Sequence, residues 1–239
     1  VIGDDGPDRF ATPEYREQIG IELIETLGHI HTVDYEDVGL GDFGHPAGYT
    51  QRQVDRWSKQ MAWLYDEKNH DRRVADLDEL REWLGNNVPE THPDTLVHGD
   101  FRLDNMLFGT DTPPELVAVL DWELSTLGDP LADLGFLLAH WRDPKDDVEP
   151  AIPEWTSPHT EHPDYLTRQQ QVSRYEDQTG IEFRNERFYR ALAVFKEAVA
   201  GEMFYARYLD GETDDPLYPR MEDRVPAMAA RGLRIVSGE

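Results

Sequence analysis

The sequence predicts an α+β fold that is mostly α, a helical lobe carrying one small β-hairpin. Three observations carry this expectation. Apolar residues recur at helical spacing over long windows, best in residues 12–31 and 185–209. Two short apolar runs, Met106-Leu107-Phe108 and residues 116–120, flank the turn-forming stretch Gly109-Thr110-Asp111-Thr112-Pro113-Pro114. No internal repeat occurs in the 239 residues.

The elements follow in order. Residues 12–31 form the first helix: Thr12 suits the N-cap, Pro13 the first turn, and Glu14 and Glu17 the positive end of the dipole. Ile19, Leu23, Ile24, Leu27 and Ile30 share one face. Residues 34–48 read as a loop. Residues 50–69 form a second helix with Val54, Trp57, Met61 and Leu64 inward, and residues 77–84 a short third helix ended by Gly85. Residues 85–93 are again a loop. Thr95-Leu96-Val97 is a short strand running into His98, and the hairpin follows, with 116–120 as a buried arm. Residues 130–141 form an apolar helix buried beneath the hairpin. Residues 142–163 are acidic, proline-rich and irregular, a mobile loop and candidate substrate lid. Residues 167–179 are helical. Residues 185–209 are a long amphipathic helix with Leu192, Phe195, Val199, Met203 and Ala206 along one side, and a last helix spans 217–235.

The chemistry concentrates in His98-Gly99-Asp100-Phe101-Arg102-Leu103-Asp104-Asn105, an H-x-D-x-x-x-x-N pattern, and in Asp121, sixteen residues later at the end of an apolar run. Phosphoryl transfer needs this set. One carboxylate orients the attacking hydroxyl, and an amide oxygen plus a second carboxylate hold magnesium against the phosphates. Gly99 permits a tight backbone path. The hairpin places Asn105 near the start of one arm and Asp121 at the end of the other. Neighbouring strands lie about 4.8 Å apart, so both can converge on one ion while Asp100 faces the same space. Asp and Asn are common in turns, and the motif alone would carry little. The loop motif, its apolar flanks and the strand-terminal Asp together carry much more.

At these residues the chain resembles the aminoglycoside phosphotransferase family, which shares the protein-kinase-like fold. The blocks 98–105 (HGDFRLDN) and 118–134 (AVLDWELSTLGDPLADL) are most similar to the kinase-like domain fused to acyl-CoA dehydrogenases in animals and to its free-standing microbial relatives. Residues 27–34 (LGHIHTVD), Val38-Gly39-Leu40 and 49–57 (YTQRQVDRW) resemble the same group, so the likeness runs from about Leu23 to about Leu209. The resemblance implies that Asp100 is the catalytic base and that Asn105 and Asp121 are metal ligands. It places Arg102 where a cation can neutralise charge on the transferred group, a surface ion pair with Asp104 being the rival role. It makes Asp133 a buried brace for the catalytic loop, with His98 a structural member of that loop. Glu123 stands where protein kinases have the Gly of D-F-G, and two roles stay open for it, a second metal or simple solvation.

The resemblance also implies a smaller N-terminal lobe with a Gly-rich loop, a strand Lys and a helix Glu. None of these is in the sequence. Residues 1–239 are therefore expected to be the kinase-like C-terminal lobe alone. Residues 1–11 would be a hinge remnant, 12–94 a helical part, 95–125 the catalytic loop and metal-binding hairpin, and 126–239 a second helical part containing loop 142–163. Nucleotide-contacting residues are unassigned, and the piece by itself is expected to bind ATP poorly. The implied activity is transfer of the γ-phosphoryl of ATP, with Mg2+, to a small-molecule hydroxyl. The acceptor would be a hydroxy acid, a hydroxyacyl compound or an aminoglycoside-like alcohol, and for an anionic acceptor Arg102, Arg142 and Arg207 are candidate contacts. The alternative is a non-catalytic pseudokinase or binding module, which would have no need of all three motif residues.

Composition bounds the rest. There are 49 acidic against 23 basic residues, a net charge of −26, and only four of the basic residues are Lys (Lys59, Lys68, Lys145, Lys196). Such self-repulsion weakens a compact chain unless salt screens it. Acid spread over the entire chain points to a halophilic protein in a salt-rich cytoplasm rather than an ordinary acidic one. The charge argues against nucleic acid or an anionic membrane as partner. The absence of Cys excludes disulfides and thiolate chemistry, and no apolar run approaches membrane-spanning length. His29 and His31 are two apart on a helix and cannot chelate one ion, and His159 and His162 lack completing ligands. Trp141, Trp155, Tyr205 and Tyr208 are by default core aromatics, with a pocket lining as the alternative.

Overall fold

The computed structural model describes residues 8–68, 72–144, 146 and 156–238. In chain order the helices are α1 (Pro13–His31), α2 (Tyr49–Glu67), α3 (Ala75–Asn86), α4 (Pro130–His140), α5 (Arg168–Thr179), α6 (Glu186–Leu209) and α7 (Met221–Ser237). The strands are β1 (Thr95–Val97), β2 (Met106–Phe108), β3 (Leu116–Val119) and β4 (Thr126–Gly128). The chain forms two compact units. Among the described residues one comprises 8–47, 92–144, 146 and 156–184, and the other 48–68, 72–91 and 185–238.

The first unit holds α1, all four strands, α4 and α5. Thr12 caps α1 by accepting from the Tyr15 N–H at 3.3 Å, and the stripe Ile19, Leu23, Ile24, Leu27 and Ile30 is buried as its spacing predicts. Asp129 caps α4, whose apolar residues are buried almost all round. Thr167 and Gln170 close a capping box on α5, and Gly180 ends it in the left-handed conformation. One core joins these helices to Phe101, Leu103 and Met106 beside the motif. Two two-stranded antiparallel sheets sit on it, β1 with β4 and β2 with β3.

In the hairpin Met106 pairs with Val119, Leu107 with Ala118 and Phe108 with Leu116, so Val117 is an extra bulged residue. This corrects the expectation of a buried arm. Met106, Phe108, Leu116 and Val119 pack on the core, whereas Leu107, Val117 and Leu120 are about half exposed, at 50%, 54% and 47%. A two-stranded sheet covered on one side leaves its other side bare, and an unbroken apolar run does not announce which side that is.

The second unit packs α2, α3, α6 and α7. Val54, Met61 and Leu64 of α2 are buried, but Trp57 is only partly so, lying beneath the Arg56 and Lys196 cations. Gly85 lies within α3 instead of ending it, and the Asn87 side-chain amide donates to the Trp83 carbonyl at the true C-terminus. Along α6, Leu192, Phe195, Val199 and Ala206 are buried while Met203 is partly exposed. Glu202 is buried instead, where Arg72 Nε donates to it at 2.9 Å. Residues 217–235 divide into a short 3-10 turn, Tyr218–Arg220, and α7. Trp141 and Tyr205 are core aromatics and Tyr208 is exposed. Residues 1–7 of the expected hinge, Asn69 of the expected second helix, Trp155, and 145 and 147–155 of the expected lid lie outside the described residues.

Candidate active site

The loop between β1 and β2 is fixed by a buried carboxylate. Asp133, on α4, accepts from the Gly99 N–H at 2.8 Å through Oδ1 and from the His98 N–H at 2.6 Å through Oδ2. His31 Nε2 lies 3.3 Å from the same Oδ2. Burial alone would raise this carboxyl's pKa, but the His31 contact and the two backbone donors outweigh it and hold the group below its ordinary value. Gly99 has φ +84°, and a Cβ there would stand 2.7 Å from the Leu124 carbonyl oxygen, so only glycine fits.

His98 is wholly buried and links both halves of the site. Its Nδ1 accepts from the Asp100 N–H at 3.2 Å, so the ring hydrogen is on Nε2, which donates to the Leu120 carbonyl at 2.9 Å. One imidazole therefore ties the loop carrying Asp100 to the residue preceding Asp121. The Trp122 ring covers it, with centroids 4.7 Å apart.

Asn105 ends a 3-10 turn just before β2. Its Nδ2 donates to the Asp100 backbone oxygen at 2.8 Å and to Asp100 Oδ2 at 2.9 Å. Both amide hydrogens are thus engaged on Asp100, which leaves the side-chain carbonyl oxygen as the remaining acceptor. The Leu120 N–H donates to the Asn105 carbonyl at 2.8 Å. Asp121 is therefore one residue past the position opposite Asn105. Asp121 is exposed and left-handed, with φ 67° and ψ 56°. A non-glycine residue is held there at about 1–2 kcal/mol of strain, and such outliers cluster at functional sites.

Asp100, Asn105 and Asp121 thus lie on neighbouring segments, with Asp100 and Asn105 in direct contact. A hard cation suits this donor set, since Mg2+ takes one or two carboxylate or amide oxygens from protein and completes its shell with phosphates and water. Among the described residues no group of three or more His, Asp or Glu side chains could hold a metal ion by itself. Glu123 is exposed. Among the described residues Arg102 Nε is buried without a hydrogen-bond partner, and it lies 3.9 Å from the Asp104 carboxylate, a loose pair. Arg142 is ion-paired with Glu161, and Arg207 lies in the second unit, 3.4 Å from Glu212. On the outer side of the hairpin Leu107 and Leu120 flank Asn105 with bare apolar surface.

His31 and Tyr175, buried behind Asp133, leave little trace in the sequence. The prediction that His29 and His31 cannot share an ion asks only about chelation. His31 lies four residues past Leu27 on the core face of α1, and its Nδ1 is 2.7 Å from the Tyr175 hydroxyl on α5. A buried histidine in line with an apolar stripe was the available signal.

The family model described as the phosphotransferase enzyme family matches residues 3–151. Acyl-CoA dehydrogenase family member 11 of Rattus norvegicus is 35% identical over 229 residues, covering 94% of this chain and 28% of that protein. The chain thus spans little more than a quarter of the curated relatives it matches at that length. A crystal structure from Ralstonia eutropha JMP134, provisionally named an aminoglycoside phosphotransferase, superposes with a TM-score of 0.81 at 29% identity over 100% of this chain and 70% of that one. Choline kinase from Cryptosporidium parvum Iowa II, at 11% identity and a TM-score of 0.59 over 95% of this chain and 69% of its own, shares the kinase-like fold.

Proposed function

This chain belongs to the phosphotransferase enzyme family, and from that premise we propose that it carries the acceptor and metal machinery of an enzyme that moves the γ-phosphoryl of Mg-ATP to a hydroxyl of a small molecule. The observation that supports this most is the Asn105 amide. Its nitrogen donates to the Asp100 backbone oxygen and to the Asp100 carboxylate, which leaves the amide oxygen as an acceptor one residue from the position opposite Asp121. Asp100 orients the acceptor hydroxyl and receives its proton. The Asn105 side-chain oxygen and the Asp121 carboxylate would hold the magnesium ion, which when bound neutralises phosphate charge. Arg102, two residues past Asp100 in the same loop, would add a positive charge near the transferred group. The half-exposed Leu107 and Leu120 side chains would offer apolar contact to a nucleotide base. The strain held at Asp121 favours catalysis over a passive binding module, which gains nothing from it. Likeness to acyl-CoA dehydrogenase family members favours a hydroxy acid or hydroxyacyl acceptor over an aminoglycoside-like alcohol.

The test is magnesium-dependent ATP consumption by the full-length protein across a panel of hydroxy acids, hydroxyacyl thioesters and amino sugars. One class should be phosphorylated, and Asp100→Asn should lower turnover of that substrate about 10^2–10^3-fold with the melting temperature unchanged. Turnover by Asp100→Asn equal to the wild type would exclude Asp100 as the base.

The charge of −26 supports a salt-rich cytoplasm as the setting. Screening shortens the Debye length to about 3 Å at 1 M salt. The melting temperature is therefore expected to rise by on the order of 10 °C between 0.1 and 2 M KCl, read by circular dichroism. A flat response would remove the halophilic reading.

A further inference from the structure

We propose that His31 and Tyr175 are positioning residues for phosphoryl transfer, acting on Asp100 through Asp133. This deepens the function proposed above and rests on it. Neither side chain has a place in the chemistry of that site, and both are buried within the first unit, at 3% and 0% exposure.

The link is continuous. The Tyr175 hydroxyl is 2.7 Å from His31 Nδ1, His31 Nε2 is 3.3 Å from Asp133 Oδ2, and Asp133 holds the His98 and Gly99 N–H groups at 2.6 and 2.8 Å. His98 in turn holds the Asp100 N–H and the Leu120 carbonyl. Burial pushes the Tyr175 hydroxyl's ionisation well above its ordinary value, and the negative charges of Asp133 and Asp129 push it further. It is therefore a neutral O–H. By donating to Nδ1 it leaves the imidazole hydrogen on Nε2, aimed at Asp133. Without that hydroxyl Nδ1 is left buried with no donor, and the ring loses the bond that fixes its orientation on Asp133. The tyrosine sets the imidazole as outer-shell partners set metal-bound histidines, where losing the partner costs about 10–100-fold in activity. The consequence is geometric. Asp133 is released to shift, the backbone at residues 98 and 99 shifts with it, and Asp100 loses its aim.

The experiment compares Tyr175→Phe, His31→Leu and His31→Gln in the full-length protein, with Mg-ATP and the hydroxyl compound phosphorylated by the wild type. Tyr175→Phe is expected to lower kcat about tenfold and His31→Leu about 10–100-fold, with KM within about twofold. His31→Gln should recover most of the loss, because its amide can accept from Tyr175 and donate to Asp133. Amide hydrogen exchange at His98 and Gly99 should be at least about tenfold faster in Tyr175→Phe and His31→Leu, and near wild type in His31→Gln. Wild-type kcat and exchange in Tyr175→Phe would overturn the proposal. So would a loss of kcat that tracks melting temperature and is not rescued by glutamine. If His31→Leu does not fold, Tyr175→Phe decides alone. If the wild type phosphorylates nothing, the kinase reading falls by itself. Exchange at His98 and Gly99 then decides the link: faster sustains it, unchanged ends it.

Discussion

Replacing Asp121 with glycine is expected to lower phosphoryl transfer about 10^3–10^4-fold while leaving the melting temperature unchanged or slightly raised. The two effects have separate causes. The lost carboxylate is the only charged metal ligand in the proposed set, and several kcal/mol of transition-state charge stabilisation disappear with it. The backbone effect has the opposite sign. Asp121 is held at φ 67°, a region that costs a side-chain-bearing residue about 1–2 kcal/mol and glycine almost nothing. Part of that gain is offset, since glycine frees the unfolded chain by about 0.4–1 kcal/mol. Among the described residues the Asp121 side chain makes no hydrogen bond or ion pair, so glycine loses none. Asp121→Val removes the same charge but puts a β-branched residue in the left-handed region, and should lose both activity and stability. Thermal melts and single-substrate kinetics on the pair separate the causes. Equal destabilisation by Gly and Val would end the strain argument, and surviving turnover in Asp121→Gly would end the metal-ligand role.

That strain was invisible in the sequence, as were several other features, and the reasons are physical. The helices were legible because burial of one face writes a 3.6-residue period, and α1, α5 and α6 begin within one residue of the expected starts. The hairpin was legible because its turn lies between its arms. β4 was not. Thr126-Leu127-Gly128 is too short to alternate, and its partner Thr95-Leu96-Val97 lies about thirty residues away. Which side of β3 faces solvent depends on the core beneath it and on the bulge at Val117, neither of which a run of five apolar residues encodes. Asp100, Asn105 and Asp121 stand out as candidates in the sequence because their spacing is local. The Asp133 network could be named only in part, because His31 and Asp133 are 102 residues apart and His31 and Tyr175 are 144 apart. Long-range polar partners leave no periodic trace, only a polar residue on an apolar stripe.

Asp133→Ala should be strongly destabilising, at about 3–5 kcal/mol, because it leaves three buried donors without an acceptor at about 1–3 kcal/mol each. Two backbone N–H donors and the His31 ring would be left in a site that Asp133 fills at 1% exposure. Asp133→Asn should be milder but not neutral. Its one oxygen can accept, while its NH2 must face either the His98 or the Gly99 N–H, donor against donor. The pH dependence follows from the sign of the shift. The folded Asp133 carboxyl titrates below its ordinary value of 3.8, so the unfolded chain binds its proton first as pH falls. The stability it supplies is complete above that ordinary value and drains away as pH drops through the lower folded one. The wild type should therefore lose stability more steeply below pH 3.8 than Asp133→Asn, all other carboxylates being common to both. Urea unfolding at a series of pH values measures the difference. Parallel curves would mean that Asp133 is not an anion in the folded protein, and the loop would then be held by hydrogen-bond geometry without charge.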